Sequence, residues 1–157
     1  MSDLSKTIAQ GLSAAYQEFG RRVHTLAESL SEEQFWRKPY AYGNSFGHLT
    51  LHLIGNLNYY IGAQIAQTGY VRDREREFTE SNPRPKQEVL KQLDETISMV
   101  VQTLEAQTDE TWSQPYQAVG AEHVKDRFSM LLRCAAHFHH HLGQMIYLVK
   151  EHSKQTG

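Results

Sequence analysis

The sequence predicts an all-α protein, a four-helix bundle with a long crossover connection between its second and third helices. Apolar residues recur at steps of three and four along four long stretches, which is the spacing of amphipathic helices. Strand-like alternation is rare, and all four prolines, which interrupt helices, fall between those stretches. The 157 residues, 39% of them hydrophobic, suit one domain, which we expect to cover residues 1–157.

The first half of the chain predicts two long helices with a short helical turn between them. Apolar spacing indicates the first helix at about residues 4–29. Ser31 is followed three residues later by Gln34, the capping-box pattern, so a short turn of helix should begin there and end at Pro39. Ser45 can cap the second long helix, which we expect to extend to about residue 67.

The second half predicts two further helices and two connections. The apolar spacing stops over residues 68–85, where glycine and prolines surround a charged run at residues 72–77. A third helix is expected over residues 86–106, and a second connection over residues 109–125. The final helix should then extend to about residue 151. Together these elements give the predicted bundle.

The composition disfavours several classes of function. The 16 basic and 18 acidic residues give a net charge of −2, without the basic excess typical of nucleic-acid-binding proteins. Cys134 is the only cysteine, so the chain can form no internal disulfide, and a reducing, cytoplasmic location is expected. The sequence has no apolar run near the roughly 20 residues that span a bilayer and no signal-peptide pattern. We therefore expect neither nucleic-acid nor membrane partners.

The histidines indicate where function should be sought. Four of the nine fall within residues 137–141. His137 and His141 are four residues apart on a predicted helix, so their side chains project from one face, about 6 Å apart along the axis. His48 and His52 have the same spacing on the second helix, and bundles commonly build metal sites from facing helices. Either could supply a third ligand, because both lie beside the apolar stripe of that helix.

Other interpretations of these residues remain open from the sequence. A histidine pair on a helix is often only a polar, partly solvated face, although two such pairs favour metal binding. The motifs of the zincins and of the di-iron carboxylate bundles are absent. Cys134 is better explained as a small core residue than as a nucleophile, and His139 and His140 as surface or interface residues.

Three segments carry a family resemblance. Residues 52–57 (HLIGNL), 72–78 (RDREREF) and 137–148 (HFHHHLGQMIYL) together resemble the DinB-like superfamily, closest to its DUF1572 branch. The resemblance implies a DinB/YfiT-like four-helix bundle, often a dimer, with a divalent metal ion on three histidines. Those ligands correspond here to His52, His137 and His141, which leaves His48 as a neighbouring pocket residue. Leu142 stands where many relatives carry an arginine.

The resemblance also implies a reaction class. The characterised proteins that this chain resembles are thiol-dependent S-transferases and a maleylpyruvate isomerase. They use low-molecular-weight thiols such as bacillithiol, mycothiol or glutathione. We therefore expect a transferase with Zn²⁺ or Ni²⁺, a thiol co-substrate and a small-molecule substrate, in a homodimer. The alternatives are a hydrolase that uses metal-bound hydroxide and a non-catalytic, metal-stabilised stress-response or binding module.

Three further features could serve such a site. Asn56 and Gln144 are spaced to reach the faces of His52 and His141, where they could orient an imidazole or a water molecule. Equally, each could make only a capping or interhelical hydrogen bond. The charged run at residues 72–77 could supply an arginine to an anionic substrate, but a self-paired, solvated loop is the preferred interpretation.

Overall fold

The computed structural model describes residues 1–156; Gly157, the last residue of the predicted domain, lies outside the described residues. The all-α class is confirmed: within residues 1–156 no β-strand forms, and the extended backbone makes only one isolated bridge, between Pro115 and Asp126. The helices are α1 (Asp3–Glu28), α2 (Glu32–Trp36), α3 (Phe46–Leu57), α4 (Arg76–Thr79), α5 (Lys86–Glu105), α6 (Asp109–Trp112) and α7 (Arg127–Thr156).

Serine side chains set the starts of the first three helices. Ser2 caps α1 by accepting a hydrogen bond from the Ser5 amide, and Ser45 caps α3 by accepting one from the His48 amide. At α2 the predicted capping box is confirmed: the Gln34 amide donates to Ser31 Oγ at 3.1 Å, and the Ser31 amide donates to Gln34 Oε1 at 3.0 Å. Each cap satisfies amides that the first helical turn leaves without partners.

The second long helix ends earlier than predicted and changes its form. α3 continues as a π-helical turn over Asn58–Ala63, and the helix does not reach residue 67. Gln67 and Gly69 adopt left-handed backbone conformations, with φ of 55° and 79°, which a right-handed helix does not accommodate. The apolar spacing predicted the continuing helix because Ile65, 8% exposed, is buried although it follows the helix.

The other predicted boundaries differ from the structure by a few residues. α5 begins at residue 86 as predicted, whereas α7 continues to residue 156, five residues beyond the predicted end. Each predicted connection contains a short helix, α4 in the first and α6 in the second. We call residues 64–85, which join the π-helical turn to α5, the connecting segment.

The four long helices of the described chain share one apolar core. α1 and α3 each pack against both α5 and α7. Tyr16, Leu53, Leu93 and Phe138, one from each long helix, are fully buried in this core. α4 of the connecting segment packs on α3, on which α7 also packs. This arrangement places α3 between the connecting segment and α7, where the candidate site is found.

None of the helices in residues 1–156 combines the length and the apolar character that crossing a bilayer requires.

Candidate metal centre

Three imidazoles converge where α3 meets α7. Nε2 of His137 lies 3.2 Å from Nε2 of His52 and 3.1 Å from Nε2 of His141. His52 belongs to α3, whereas His137 and His141 are one turn apart on α7. The predicted candidates for metal ligation are therefore brought together across a helix–helix contact.

Two of the three nitrogen–nitrogen separations match those around one divalent ion, and all three ligand atoms lie within 4.8 Å of one another. A zinc–imidazole bond is about 2.1 Å long, so ligand nitrogens stand about 3.4 Å apart in a tetrahedral site and about 3.0 Å apart on one face of an octahedron. The observed separations of 3.1 and 3.2 Å lie between these values. Three protein ligands would leave at least one coordination position open, as in catalytic zinc sites.

Two of the three rings are oriented through their other nitrogen. His52 Nδ1 lies 2.8 Å from Glu77 Oε2, and His141 Nδ1 lies 2.7 Å from Gln144 Oε1. Because both partners are acceptors, each Nδ1 carries the proton, and the Nε2 lone pair is free to bind an ion. His137 Nδ1 is buried and has no partner among the described residues.

A buried ion pair holds the carboxylate that orients His52. Arg72 donates from Nε to Glu77 Oε1 at 2.7 Å and from Nη2 to Oε2 at 3.0 Å. The Glu77 and Arg72 side chains expose only 6% and 9% of their surface. Burial raises the pKa of Glu77, but the hydrogen bonds from His52 and Arg72 and the charge of Arg72 outweigh it, so the pKa lies below its usual value.

The surroundings also keep two of the imidazoles neutral. Burial, followed by the neighbouring imidazoles, lowers the pKa of His137 to about 3. The pKa of His141 falls to about 4, mainly through burial, although the hydrogen bond to Gln144 opposes the change. Only a neutral imidazole can bind a metal ion, so near neutral pH these two rings are in the required state.

The charged run at residues 72–77 was only partly predicted correctly. The run is self-paired, but its expected solvation is wrong for Glu77, which is buried against His52, and for Arg72, whose side chain is only 9% exposed. The role of Glu77 was missed. Ligating histidines commonly donate their second N–H to a carboxylate, and this rule directs attention to the acidic residues of the run. It does not distinguish Glu77 from Asp73 or Glu75, which are exposed.

His48 lies one turn before His52 and has other partners. Its Nδ1 lies 2.6 Å from Ser45 Oγ, and its Nε2 lies 3.1 Å from the backbone oxygen of Glu80. Its ring meets that of Trp36 edge to face. His48 therefore joins the start of α3 to the connecting segment, while His52 faces α7.

The two predicted amide residues differ in their contacts. Gln144 orients His141 as described above, although its side chain is exposed. Asn56 is only 7% exposed, and its Oδ1 has no hydrogen-bond partner among residues 1–156. Asn56 borders a cavity of about 150 Å³ that His52 and His137 also line.

Cys134 lines the same cavity without the properties of a nucleophile. It is 1% exposed, and burial raises the pKa of its thiol to about 12. A thiol that stays protonated at neutral pH is a poor nucleophile, which agrees with the predicted core role. His139 and His140 are exposed on α7, and His139 stacks on Phe19 of α1.

The chain matches a known protein family. The family model of the DinB superfamily matches residues 15–145, a range that contains all three converging histidines as well as Glu77 and Gln144. No curated protein matches the chain.

Proposed function

The chain belongs to the DinB superfamily, and on that basis we propose that it is a metal-dependent transferase in which His52, His137 and His141 hold one divalent ion. The reaction proposed is thiol-dependent S-transfer. The sulfur of a low-molecular-weight thiol forms a bond to an electrophilic carbon of a small molecule, the leaving group departs with its bonding pair, and the thiol proton passes to solvent.

The convergence of three imidazole Nε2 atoms is the observation that carries this proposal. A divalent ion held by these imidazoles would lower the pKa of a thiol or water molecule bound at its open position. Zn²⁺ and Ni²⁺ are the ions proposed, since both accept imidazole ligands.

The chain's own residues prepare the site. Glu77 and Gln144 each accept the Nδ1 proton of one ligand ring, so that the rings present Nε2 to the ion. Phe78 packs against the His52 ring with a centroid separation of 4.9 Å and covers one side of it. Arg72 keeps Glu77 ionised, which strengthens its hydrogen bond to His52.

The finer assignments are proposals as well. The HLIGNL, RDREREF and HFHHHLGQMIYL segments support the DUF1572 branch. The packing of α1 and α3 against α5 and α7 supports the DinB/YfiT-like four-helix bundle, with the connecting segment as its crossover. A homodimer and a cytoplasmic location complete the proposal.

Metal analysis is the first test. Untagged protein, purified without a nickel column, is examined by plasma mass spectrometry as wild type and as His52→Ala, His137→Ala and His141→Ala. We expect about one equivalent of metal in the wild type and its loss in each of these variants. His48→Ala on α3 and His139→Ala on α7 are matched controls and should retain the ion. Wild-type protein that takes up neither zinc nor nickel on incubation would contradict the proposal.

Activity distinguishes the transferase from its alternatives. The metal-loaded protein is assayed with glutathione, mycothiol and bacillithiol against aryl halides and epoxides, with His52→Ala as the inactive control. Turnover of an ester or amide without added thiol would favour the hydrolase. If metal removal lowers thermal stability and no turnover is found, the metal-stabilised binding module becomes the better assignment.

A further inference from the structure

The cavity beside His52 and His137 has room for a small molecule. Its volume of about 150 Å³ corresponds to roughly five water molecules. His52 and His137 line it, and Met130 and Cys134, each 1% exposed, contribute apolar wall. A wider groove adjoins the cavity and shares Tyr60, Arg72, Arg74 and Gly120 of its lining.

The charge of this cavity is positive. Arg72, Arg74 and Arg133 line it, and no aspartate or glutamate is found among the described residues that line either the cavity or the groove. Glu77 neutralises Arg72. Arg74 and Arg133 have no carboxylate partner in residues 1–156; the Arg74 guanidinium instead lies over the ring of Phe78, 5.7 Å from its centroid. Two arginines are therefore available to an anion.

Asn56 supplies an independent indication of a ligand. Its side chain is more than nine-tenths buried, lines the cavity and leaves Oδ1 without a hydrogen-bond partner in the described chain. A buried carbonyl oxygen without a donor is unfavourable and rare in folded proteins. A ligand N–H or O–H that enters the cavity would satisfy it.

We propose that the cavity binds a small molecule that carries both a carboxylate and a hydrogen-bond donor. Arg74 and Arg133 pair with the carboxylate, and Asn56 Oδ1 accepts from the donor. This places the ligand beside His52 and His137. The inference rests on the proposed function in one respect: if His52 and His137 hold a catalytic metal ion, a molecule bound beside them would be one of the two reacting partners.

Three small probes test the recognition without any turnover. Lactate has the carboxylate and a hydroxyl, lactamide lacks the carboxylate, and propionate lacks the hydroxyl. Binding is followed by NMR shift titration of the 157-residue chain, as purified and after metal removal. We expect lactate to bind at least about tenfold more tightly than lactamide and severalfold more tightly than propionate. Equal affinity for lactate and lactamide, or no binding of lactate, would overturn the proposal.

Substitutions locate the two contacts. Arg74→Ala and Arg133→Ala should each raise the Kd for lactate about tenfold, as expected for loss of a charged hydrogen bond. Arg21→Ala, an exposed arginine on α1 that lines neither the cavity nor the groove, should leave it unchanged. In Asn56→Ala the preference for lactate over propionate should disappear. Arginine variants that bind lactate like the wild type would overturn the assignment.

The outcomes separate this inference from the proposed function. Lactate binding that depends on Arg74 and Arg133, in a protein without metal or transfer activity, would sustain the anion site and reject the transferase. If transfer is found, the substrate whose KM rises in Arg74→Ala and Arg133→Ala is the carboxylate-bearing one, whether the thiol or the electrophile. Transfer with no change in either KM would overturn the inference alone.

Discussion

Gly55 lies directly against the carboxylate of Glu77, so that a Cβ atom at residue 55 would overlap with Oε1. Gly55 follows His52 by three residues on α3, on the same side of the helix. The missing side chain lets the connecting segment approach α3 closely enough for Glu77 to reach the His52 ring. A glycine is thus required here for contact, not for an unusual backbone conformation.

Gly55→Ala should disturb the metal centre through this contact. The added methyl group must displace Glu77, and overpacking of this kind costs about 1–3 kcal/mol of stability. We expect a lower unfolding temperature together with weaker metal binding, measured by thermal denaturation and zinc titration. Gly11→Ala is the control, because nothing lies within 4 Å of the position and alanine favours helix there. Equal effects of the two substitutions would contradict the role of Gly55.

Glu77→Gln should weaken metal binding without removing a ligand. The substitution keeps the shape of the side chain but removes the charge that strengthens the His52 hydrogen bond and balances Arg72. Loss of such a partner typically costs 10–100-fold in metal affinity. Competition with a zinc chelator gives the dissociation constant. Glu75→Gln, an exposed position in the same segment, should behave as the wild type, and an unchanged constant in Glu77→Gln would reject the orienting role.

His48→Ala should lower stability but not metal content. The substitution removes the imidazole contacts with Ser45 and with the Glu80 backbone, and each hydrogen bond contributes about 0.5–1.5 kcal/mol. Urea unfolding of the metal-free protein measures the loss. A double-mutant cycle with Ser45→Ala should be non-additive, because the two side chains contact each other. Loss of the ion in His48→Ala would instead make His48 part of the metal centre.

The metal-free protein should become less stable as the pH falls from about 6.5 to about 4. Burial and neighbouring imidazoles lower the pKa of His137 to about 3, and mainly burial lowers that of His141 to about 4. In the unfolded chain both return to about 6.5. Between these values the unfolded state binds more protons, so acid favours unfolding, and stability is regained as the pH rises.

Urea midpoints measured across this pH range test the prediction. The double variant His137→Asn/His141→Asn should show a shallower dependence, because its two positions no longer titrate. An equal slope in the wild type and the double variant would show that other groups cause the acid sensitivity.

Local rules predicted much of the fold. The capping box of Ser31 and Gln34 depends on residues three apart, and the start of α5 follows directly after Pro85. Such features depend only on residues close together in the chain, so they can be predicted from the sequence. The end of the second helix cannot be predicted in this way. Apolar spacing continues to Ile65, whereas the left-handed conformation of Gln67 depends on how the connecting segment folds.

The candidate site was predictable only in part. The spacing of His137 and His141 indicated a pair on one face, which the structure shows. The spacing of His48 and His52 could not determine which of the two faces α7, because this depends on how α3 rotates within the packed helices. Glu77 resembles its acidic neighbours in sequence, and only the fold brings it against Gly55.

The distance along the chain between the ligands has a kinetic consequence. His52 and His137 are 85 residues apart, so an ion can engage all three imidazoles only after α3 and α7 have docked. Contacts completed late in folding have little effect on the folding rate and act mainly on the rate of unfolding. We therefore expect a bound ion to lengthen the lifetime of the native protein while leaving the speed of its formation almost unchanged.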